Sequence, residues 1–224
     1  MSQKDIFLGG EGDSWYSRNA SSLQKIDAAS PPQDVVYMLD TLHPFQDEIH
    51  TVLEIGCSNG IKLELVCERL NAKGFGLDPS PAAVGEGNSR SKSADLNLIV
   101  GTSDDLPFET GSIDLVNFAF CLYLVDRDAL LKSLAEADRV LRPGGFLAIT
   151  DFDPGFKHRR QYNHKTDVFS FKQDYGSFFT STGFYYLFGK KCFSHKQKYF
   201  DRDPNERIST SLFLKEVEAY PTIG

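Results

Sequence analysis

The sequence predicts a single α/β domain built on a seven-stranded, mostly parallel sheet, with an antiparallel C-terminal strand and helices on both faces. Two observations carry this prediction. Apolar runs rich in β-branched residues alternate with amphipathic helical patterns between residues 51 and 151. The first run ends in a tight glycine turn, Gly56–Gly60, from which a helical pattern starts. At 224 residues, the chain is long enough for one sizeable core.

Periodicity and turn residues place the elements in order along the chain. Apolar runs bounded by turn residues predict seven strands, at 51–56, 74–78, 95–100, 113–120, 146–151, 184–193 and 208–217. Apolar residues spaced three or four apart predict helices at 34–42, 60–70, after Pro79-Ser-Pro81, at 128–141 and within 169–182. The last two strands are expected to form an antiparallel edge of the sheet.

Proline and glycine set the boundaries of these elements. Pro31-Pro32 precede the first helix, and Pro143-Gly-Gly145 is expected to end the helix at 128–141 before the fifth strand begins. Beyond Asp153-Pro-Gly155 the alternation of strand and helix weakens. The regular core of the domain is therefore expected to end near residue 151.

The first strand and its turn carry the strongest functional signal, Glu54-x-Gly56-x-x-x-Gly60, followed by Asp78 at the end of the second strand. Gly56 and Gly60 have no Cβ, so backbone amides can come close to a ligand. Glu54 lies deep in the predicted sheet, where a simple turn has no need of an acid. Asp78 can accept both hydroxyls of a ribose, or it can cap the next helix. Together these residues predict a site for an adenosine derivative.

Two other kinds of nucleotide site do not fit this turn. A dinucleotide site needs G-x-G-x-x-G, and position 58 is serine. A P-loop needs Gly-Lys-Ser or Gly-Lys-Thr, which the sequence lacks. The acid beside the turn repels a pyrophosphate but can hold an ammonium group. S-adenosylmethionine carries an ammonium and a ribose but no phosphate, so it is the ligand that fits best.

The paired motifs, Glu54-x-Gly56-x-x-x-Gly60 and Gly76-Leu-Asp78, resemble the first two motifs of the class I S-adenosylmethionine-dependent methyltransferases of the type 11 kind. The resemblance implies a Rossmann-like fold, S-adenosyl-L-methionine as cofactor and methyl transfer as the reaction. It divides the single domain, 1–224, into three regions. These are an N-terminal lid and helix at 1–50, a cofactor-binding core at 51–151, and a substrate-side and edge-strand region at 152–224.

The same resemblance implies further cofactor contacts. Cys57 offers its backbone amide. The segment Gly101–Phe108 resembles the loop that surrounds adenine in the family, where many members place an acid directly after the glycine and this chain has threonine. Here Ser103 offers an amide to ring nitrogen N1, and the Asp104 carboxylate accepts the exocyclic amino group. Phe120, after the fourth strand, contacts the methionine part of the cofactor.

Residues outside the cofactor core are assigned to the acceptor and its proton. Glu11–Asn19 is expected to form a lid in which Arg18 pairs with the methionine carboxylate, with a surface strap as the alternative. Substrate contacts are expected from Trp15, Tyr123 and Tyr162. His164 titrates near neutrality and is the candidate general base, with Asp153 as its substitute. A surface position is the alternative for His164.

The acceptor is expected to be a small molecule, with a hydroxyl of a sugar or sugar nucleotide preferred. Three short segments, Trp15–Asn19, Phe120–Tyr123 and Asp151–Pro154, resemble methyltransferases of bacterial sugar and surface-polysaccharide biosynthesis. The alternatives are methylation of a nitrogen or carboxylate of another small metabolite, a catalytically inactive cofactor-binding module, and a nicotinamide-dependent oxidoreductase. The intact motif disfavours the inactive module, and the missing third glycine disfavours the oxidoreductase.

Composition limits the kinds of partner and the cellular location that we expect. A net charge of −7 and a pI near 5.2 argue against a nucleic-acid substrate. The four cysteines lack metal-ligand spacing, so no metal is expected, and they suit reduced thiols in the cytoplasm. The N-terminus shows no apolar signal segment, and no apolar run approaches the ~18 residues of a membrane span. We therefore expect a cytoplasmic protein with no membrane partner, and a homodimer is compatible with the sequence.

Overall fold

A computed structural model describes residues 1–196 and 199–222 of the chain. Seven strands form the main sheet, namely β1 Thr51–Ile55, β2 Lys73–Asp78, β3 Leu96–Val100, β4 Ile113–Ala119, β5 Leu141–Phe152, β8 Tyr185–Ser194 and β9 Arg207–Lys215. Two more strands, β6 His158–Gln161 and β7 Phe169–Lys172, form a separate hairpin. The order of the main sheet is β3-β2-β1-β4-β5-β9-β8. Strands β1 to β5 pair in parallel, whereas β9 runs antiparallel to both neighbours. The predicted fold class is confirmed.

Helices cover both faces of the sheet. They are α1 Gln3–Ile6, α2 Gly12–Leu23, α3 Gln33–Leu42, α4 Ile61–Leu70, α5 Pro81–Arg90, α6 Arg127–Val140 and α7 Gly176–Thr180. Helices α3, α4 and α5 bury Met38, Leu63 and Val84 in one core cluster, while α6 and α7 bury Leu134 and Phe179 in the other. Complete burial of a leucine such as Leu63 contributes about 1.5–3 kcal/mol relative to leaving it exposed.

Three stretches differ from the sequence-based expectation. Residues 3–23, for which no helix was predicted, are helical: α1 and α2 are joined by a π-helical turn at Phe7–Glu11 in which Gly10 takes a φ of 127°. Residues 143–145 belong to β5 instead of preceding it. The prediction of a helix within 169–182 is wrong for the first residues of that range, which form β7. Phe169 and Phe171 alternate with Ser170 and Lys172 with the two-residue period of a strand, and this stretch pairs with β6.

The topology determines which ends of the strands meet. Strand β1 lies between β2 and β4, so the strand order, which runs outward from β1 to β3 on one side, continues from β4 on the other side, and open α/β sheets bind ligands at such a switch point. The carboxyl ends of β1 to β5 and β8 lie at one edge of the sheet. Because β9 is antiparallel, its first residues lie at the same edge, where Ile208 pairs with Phe152. Residues from both ends of the chain therefore reach the site.

Candidate active site

A cavity of about 670 Å³ lies at the carboxyl edge of the sheet. One part, which we call the polar half, is lined by ionisable and hydrogen-bonding residues near the ends of β1, β2 and β3: Lys4, Asp34, Glu54, Lys62, Asp78, Ser103 and Asp104. The other part, which we call the aromatic half, is lined from the β4, β5, β8 and β9 side of the sheet by Phe120, Tyr123, Thr150, Phe193, His195 and Ile208. The cavity thus joins two chemically different surfaces.

Asp78 ends β2 with its carboxylate held in one orientation. Its Oδ2 accepts the Ser58 backbone N–H at 2.8 Å and its Oδ1 accepts the Ser80 N–H at 2.9 Å. Burial raises the pKa of this carboxyl to about 6, against the effect of these two bonds. The cap of α5 is Ser80, whose Oγ accepts the Ala83 N–H. Asp78 is therefore free of the capping role and presents its remaining lone pairs to the cavity.

Glu54 is the most buried acid in the wall of the cavity, with 2% of its surface exposed. Burial raises the pKa of Glu54 to about 7, although the charge of Lys62 and a hydrogen bond from Asn117 Nδ2 (3.1 Å) oppose the shift. Lys62 pairs with Asp34 at 2.6 Å. Burial lowers the Lys62 pKa, but the Asp34 carboxylate outweighs it, so that pKa is raised overall. One cation and two acids thus lie together at the end of β1.

Lys62 was not among the residues predicted for the site, and Asp34 was predicted only as part of the first helix. Lys62 lies in the first turn of the helix that Gly60 opens, and that turn faces the cavity. The signal was therefore available in its distance from the glycine motif. The ion pair with Asp34 was not, because the two residues come from separate helices and meet only in the folded chain.

The glycine loop is shaped by backbone conformation and packing. Gly56 and Gly60 have φ values of 80° and 70°, which side-chain-bearing residues rarely adopt. A Cβ on Gly56 would lie 2.6 Å from Cys121 Cβ, and one on Gly60 would lie 2.9 Å from the Leu98 side chain. Gly56 lines the cavity, whereas Gly60 does not and acts instead as the N-cap of α4. Gly60 is thus required by the turn itself.

The backbone amide of Cys57, predicted to contact the cofactor, is hydrogen bonded within the glycine loop. The backbone N–H groups of Gly56 and Cys57 both donate to the Leu77 carbonyl, at 2.8 and 3.2 Å. The Cys57 amide is therefore used within the loop in this conformation, whereas Cys57 itself lines the cavity, and its contact with the cofactor stays a prediction. Burial also raises the pKa of the Cys57 thiol, which keeps it protonated and unreactive.

At the adenine end, the structure places Asp104 against the N-terminal helix. Both carboxylate oxygens contact Lys4 Nζ, at 2.8 and 3.0 Å, and Oδ1 also accepts the Thr102 hydroxyl at 2.7 Å. Burial raises the Asp104 pKa, but these bonds outweigh it and the pKa is lowered. The carboxylate predicted for the adenine amino group is thus already paired. Ser103 Oγ bonds Ser133 Oγ at 2.8 Å, and the Ser103 N–H donates to no other described residue.

The N-terminal segment forms a wall of the cavity. Trp15 of α2 lines the cavity, as do Lys4 and Phe7. Asp13 Oδ1 accepts hydrogen bonds from Ser80 Oγ at 2.6 Å and from the Ala82 N–H at 3.0 Å, so α2 is fixed against the start of α5. Gly12 and Trp15 of the segment predicted as a lid thus line the cavity, and closure of that segment over a bound cofactor stays a prediction.

Arg18 and Tyr162 do not reach the cavity. Arg18 Nη2 pairs with the buried Glu11 carboxylate at 2.5 Å and contacts the Tyr162 hydroxyl at 3.3 Å. Glu11 lies two helical turns before Arg18, so both side chains occupy the same side of the N-terminal helix. The predicted pairing of Arg18 with a methionine carboxylate is wrong in this conformation. Tyr162 is buried beneath the segment and is not placed to touch a substrate.

The two predicted catalytic residues lie outside the cavity. His164 is exposed in the turn between β6 and β7, with its ring against Tyr162 at 5.3 Å. Asp153 Oδ2 is paired with Lys190 Nζ at 2.8 Å. Neither residue lines the cavity. The expectation that the segment after the fifth strand lies over the crevice is wrong for His164, because the β6–β7 hairpin carries it to the surface.

The aromatic half has a stacked pair at its centre. Phe120 follows β4 with a φ of 59°, which turns its side chain out of the strand pattern, and its ring lies parallel to the His195 ring at 5.5 Å with an angle of 5°. Tyr123 packs against Phe120 at 5.1 Å and lines the cavity, as predicted. Burial raises the Tyr123 pKa well above its ordinary value, so its hydroxyl stays protonated. His195 was missed, because a histidine beside lysines after the sixth predicted strand resembles an ordinary surface residue.

The donor set of the polar half fits S-adenosylmethionine. Asp78 suits a ribose, Glu54 and Asp34 suit an ammonium, and Lys62 suits a carboxylate. Ser58 Oγ also lines this part of the cavity, buried and without a hydrogen-bond partner among the described residues. A second cation, Lys4, is paired with Asp104. This arrangement matches an adenosine that carries an amino acid better than one that carries a pyrophosphate.

Comparison with known proteins supports the same class. Residues 52–145 match the family model described as a methyltransferase domain. An uncharacterised methyltransferase of Synechocystis is 32% identical over 45% of this chain and 46% of its own length. The phthiotriol/phenolphthiotriol dimycocerosates methyltransferase of Mycobacterium leprae is 33% identical over 47% of this chain and 39% of its own length. The chain thus spans less than half the length of these two curated relatives.

A solved structure matches nearly the whole chain. The 1,6-didemethyltoxoflavin-N1-methyltransferase of Burkholderia thailandensis, bound to 1,6-didemethyltoxoflavin and S-adenosylhomocysteine, aligns with a TM-score of 0.71 at 13% identity. The alignment covers 94% of this chain and 88% of that one. Residues 52–145 thus resemble a methyltransferase domain, and the fold of nearly the whole chain resembles that of this solved methyltransferase. In the described residues, no helix has the length and apolar character of a membrane span, and no three ligand-type side chains are placed for a metal ion.

Proposed function

We propose that this chain transfers a methyl group from S-adenosylmethionine to a small-molecule acceptor. The observation that carries the proposal is the pairing, in one cavity, of Asp78 for a ribose with the Glu54–Lys62–Asp34 cluster for an amino-acid end. S-adenosylmethionine supplies a methyl group already activated on a sulfonium, so the protein needs only to align the acceptor and manage one proton.

Each half of the cavity has its own task in this proposal. Asp78 holds the ribose hydroxyls, and its two backbone hydrogen bonds keep the carboxylate in position. Lys62 holds a carboxylate while Glu54 and Asp34 face an ammonium. Phe120 and Tyr123 exclude water beside the place where the acceptor must lie. The acceptor then approaches from the side of β4 and β5.

The chemical class of the acceptor, and the atom that is methylated, are also part of the proposal. A hydroxyl of a sugar or sugar nucleotide, with a role in polysaccharide biosynthesis, is supported only by the resemblance of three short segments. The relative from M. leprae is named for phthiotriol and phenolphthiotriol dimycocerosates, and the Burkholderia protein for methylation at N1 of 1,6-didemethyltoxoflavin. These names favour a small molecule as the acceptor. A nitrogen or carboxylate acceptor stays the second candidate.

The net charge of −7 supports a small molecule over a nucleic acid as partner. A cytoplasmic location, the absence of a membrane partner and a homodimer stay predictions of the sequence.

Calorimetric titration of the full chain with S-adenosylhomocysteine, and separately with NAD, tests the proposal. We expect saturable binding of S-adenosylhomocysteine and no binding of NAD, since the polar half offers a pyrophosphate more repulsion than pairing. Binding of NAD alone would identify an oxidoreductase. Binding of neither ligand would remove the cofactor from the proposal. Turnover, followed as release of S-adenosylhomocysteine, separates an enzyme from an inactive binding module.

A further inference from the structure

The aromatic half of the cavity has few polar groups that could hydrogen bond to the hydroxyls of a sugar. The six residues named above include no Asp, Glu, Lys, Arg, Asn or Gln, and two further polar residues of the cavity wall are already hydrogen bonded: Asp126 accepts the Gln3 and Lys4 backbone N–H groups, and Ser194 Oγ donates to Asp201. Thr150 Oγ1 is already hydrogen bonded to Thr210 Oγ1 at 2.9 Å. A sugar would bury several hydroxyls here with few partners, and each buried hydroxyl without a hydrogen bond would weaken binding. The surface therefore favours an acceptor with few polar groups.

Flat rings dominate this surface. Phe120 packs against Tyr123 at 5.1 Å, Phe152 at 4.9 Å and His195 at 5.5 Å. Phe193 lines the same part of the cavity. Planar faces and edges of this kind stabilise a planar ring by offset stacking and edge-to-face contact, in addition to the burial of apolar area.

His195 is the one group of the aromatic half that titrates near neutrality. Its backbone N–H is anchored to the Glu206 carbonyl at 2.7 Å, and its ring is held parallel to Phe120. Neither ring nitrogen hydrogen bonds to another residue in the described part of the chain. A ring nitrogen is therefore available to a ligand in the cavity.

The charges around His195 keep its imidazole neutral. Burial lowers its pKa, and Lys172, Lys196 and Arg160 lower it further, whereas Glu206 acts in the opposite direction. The net effect is a pKa below the ordinary value. At neutral pH the ring thus has one nitrogen lone pair that can accept a proton.

Resting on the proposed function, we propose that the aromatic half binds a planar aromatic acceptor with an acidic hydroxyl, and that His195 receives the proton of that hydroxyl. The acceptor oxygen forms a bond to the methyl carbon as the bond from that carbon to sulfur breaks. The electron pair of the broken bond stays on sulfur, which leaves S-adenosylhomocysteine. The hydroxyl proton passes to the free nitrogen of His195. No other reactant is needed.

A binding experiment on the full chain, saturated with S-adenosylhomocysteine, tests both parts without requiring turnover. The probes are 2-naphthol, its methyl ether 2-methoxynaphthalene, and methyl α-D-glucopyranoside. We expect both naphthalenes to bind more tightly than the glucoside. We also expect 2-naphthol to bind about 3- to 10-fold more tightly than the ether, as one hydrogen bond to His195 would give.

His195→Phe keeps a flat ring and removes the acceptor nitrogen, and His164→Phe is the matched control on the exposed hairpin. We expect the preference for 2-naphthol over the ether to disappear in His195→Phe and to persist in His164→Phe. The affinity for S-adenosylhomocysteine should stay unchanged in both variants, which shows that they are folded.

The outcomes separate the two proposals. Failure of the unaltered chain to bind S-adenosylhomocysteine would refute the proposed function. Normal binding of that ligand with tighter binding of the glucoside than of the naphthalenes would overturn the planar acceptor. An undiminished preference for 2-naphthol in His195→Phe would overturn the role of His195.

Discussion

The polar and aromatic halves of the cavity are assembled in different ways. Apart from Lys4 and Asp34, the polar half comes from one continuous stretch, Glu54–Asp104, in which each functional residue lies near the end of a strand or shortly after one. The aromatic half contains Phe120, Thr150, His195 and Ile208, which are far apart in the chain. They meet because β9 and β8 extend the sheet beyond β5. A cofactor site of this kind can be recognised from local sequence, whereas an acceptor site depends on the topology.

The two halves also differ in charge. The polar half contains two carboxyls whose pKa is raised by burial, Glu54 to about 7 and Asp78 to about 6. The aromatic half contains His195, whose pKa is lowered, and Tyr123, whose pKa is raised so that its hydroxyl stays neutral. Binding in the polar half should therefore respond strongly to charge and pH. Selectivity in the aromatic half should follow shape and a single hydrogen bond.

The largest effect is expected from Asp78→Ala. This change removes a charge-assisted contact to both ribose hydroxyls, which should cost roughly 2–3 kcal/mol of cofactor binding. Calorimetry should then show the affinity for S-adenosylhomocysteine falling about 30- to 150-fold. Asp40→Ala, at an exposed position on α3, is the matched control and should bind normally. Unchanged affinity in a folded Asp78→Ala protein would show that Asp78 does not bind the ribose.

A second effect is expected in stability. Because the Glu54 pKa is raised above that of the unfolded chain, the stability that its proton contributes is fully present below about pH 4.5. That contribution is lost as the pH rises through about 7. Between about pH 5 and pH 8 it amounts to roughly 2 kcal/mol, or roughly 4–8 °C in Tm.

Glu54→Gln isolates this contribution. Without cofactor, the variant should lose less thermal stability than the unaltered chain when the pH is raised from 5 to 8. Asp78 and Asp151, whose pKa values are also raised, act equally in both proteins. Glu68→Gln, at an exposed position on α4, is the control and should behave like the unaltered chain. Parallel Tm curves for Glu54→Gln and the unaltered chain would show that Glu54 stays ionised in the fold.

The smallest effect is expected from Lys62→Met, which tests the amino-acid end of the polar half. Loss of one partly screened cation should weaken S-adenosylhomocysteine binding about tenfold. The affinity for 5′-methylthioadenosine, which lacks the amino-acid end, should not change. Lys92→Met is the exposed control. An equal loss for both ligands would mean that Lys62 supports the fold of the site and does not contact the amino acid.

Much of the fold could be predicted from local patterns. Strand β4 and helix α6 have clear apolar periods, and their positions agree with the structure to within one or two residues. The β6–β7 hairpin was missed because its strands are short and β6 is largely exposed, so neither shows an apolar run. Helix α2 was not predicted; a single positive φ at Gly10 lets two helices join across adjacent glycines.

The site residues likewise fall into those that local sequence could place and those that depend on the tertiary structure. Glu54, Gly56 and Asp78 line the cavity because the strand–turn–helix unit fixes them locally. The role of Arg18 was misplaced because Glu11, on its own helix, is its nearest acid. His164 was misplaced because its position depends on pairing between β6 and β7. His195 carried no local signal at all, since only the position of β8 at the edge of the sheet brings it to Phe120.

A crystal structure of the full chain with S-adenosylhomocysteine tests the division of the cavity most directly. We predict that the ribose hydroxyls bind the Asp78 carboxylate and that the amino-acid end lies beside Glu54 and Lys62. The sulfur should point toward Phe120, and the surface around His195 should stay free for the acceptor. A complex in which the adenine or the amino-acid end lies between Phe193 and His195 would contradict this prediction.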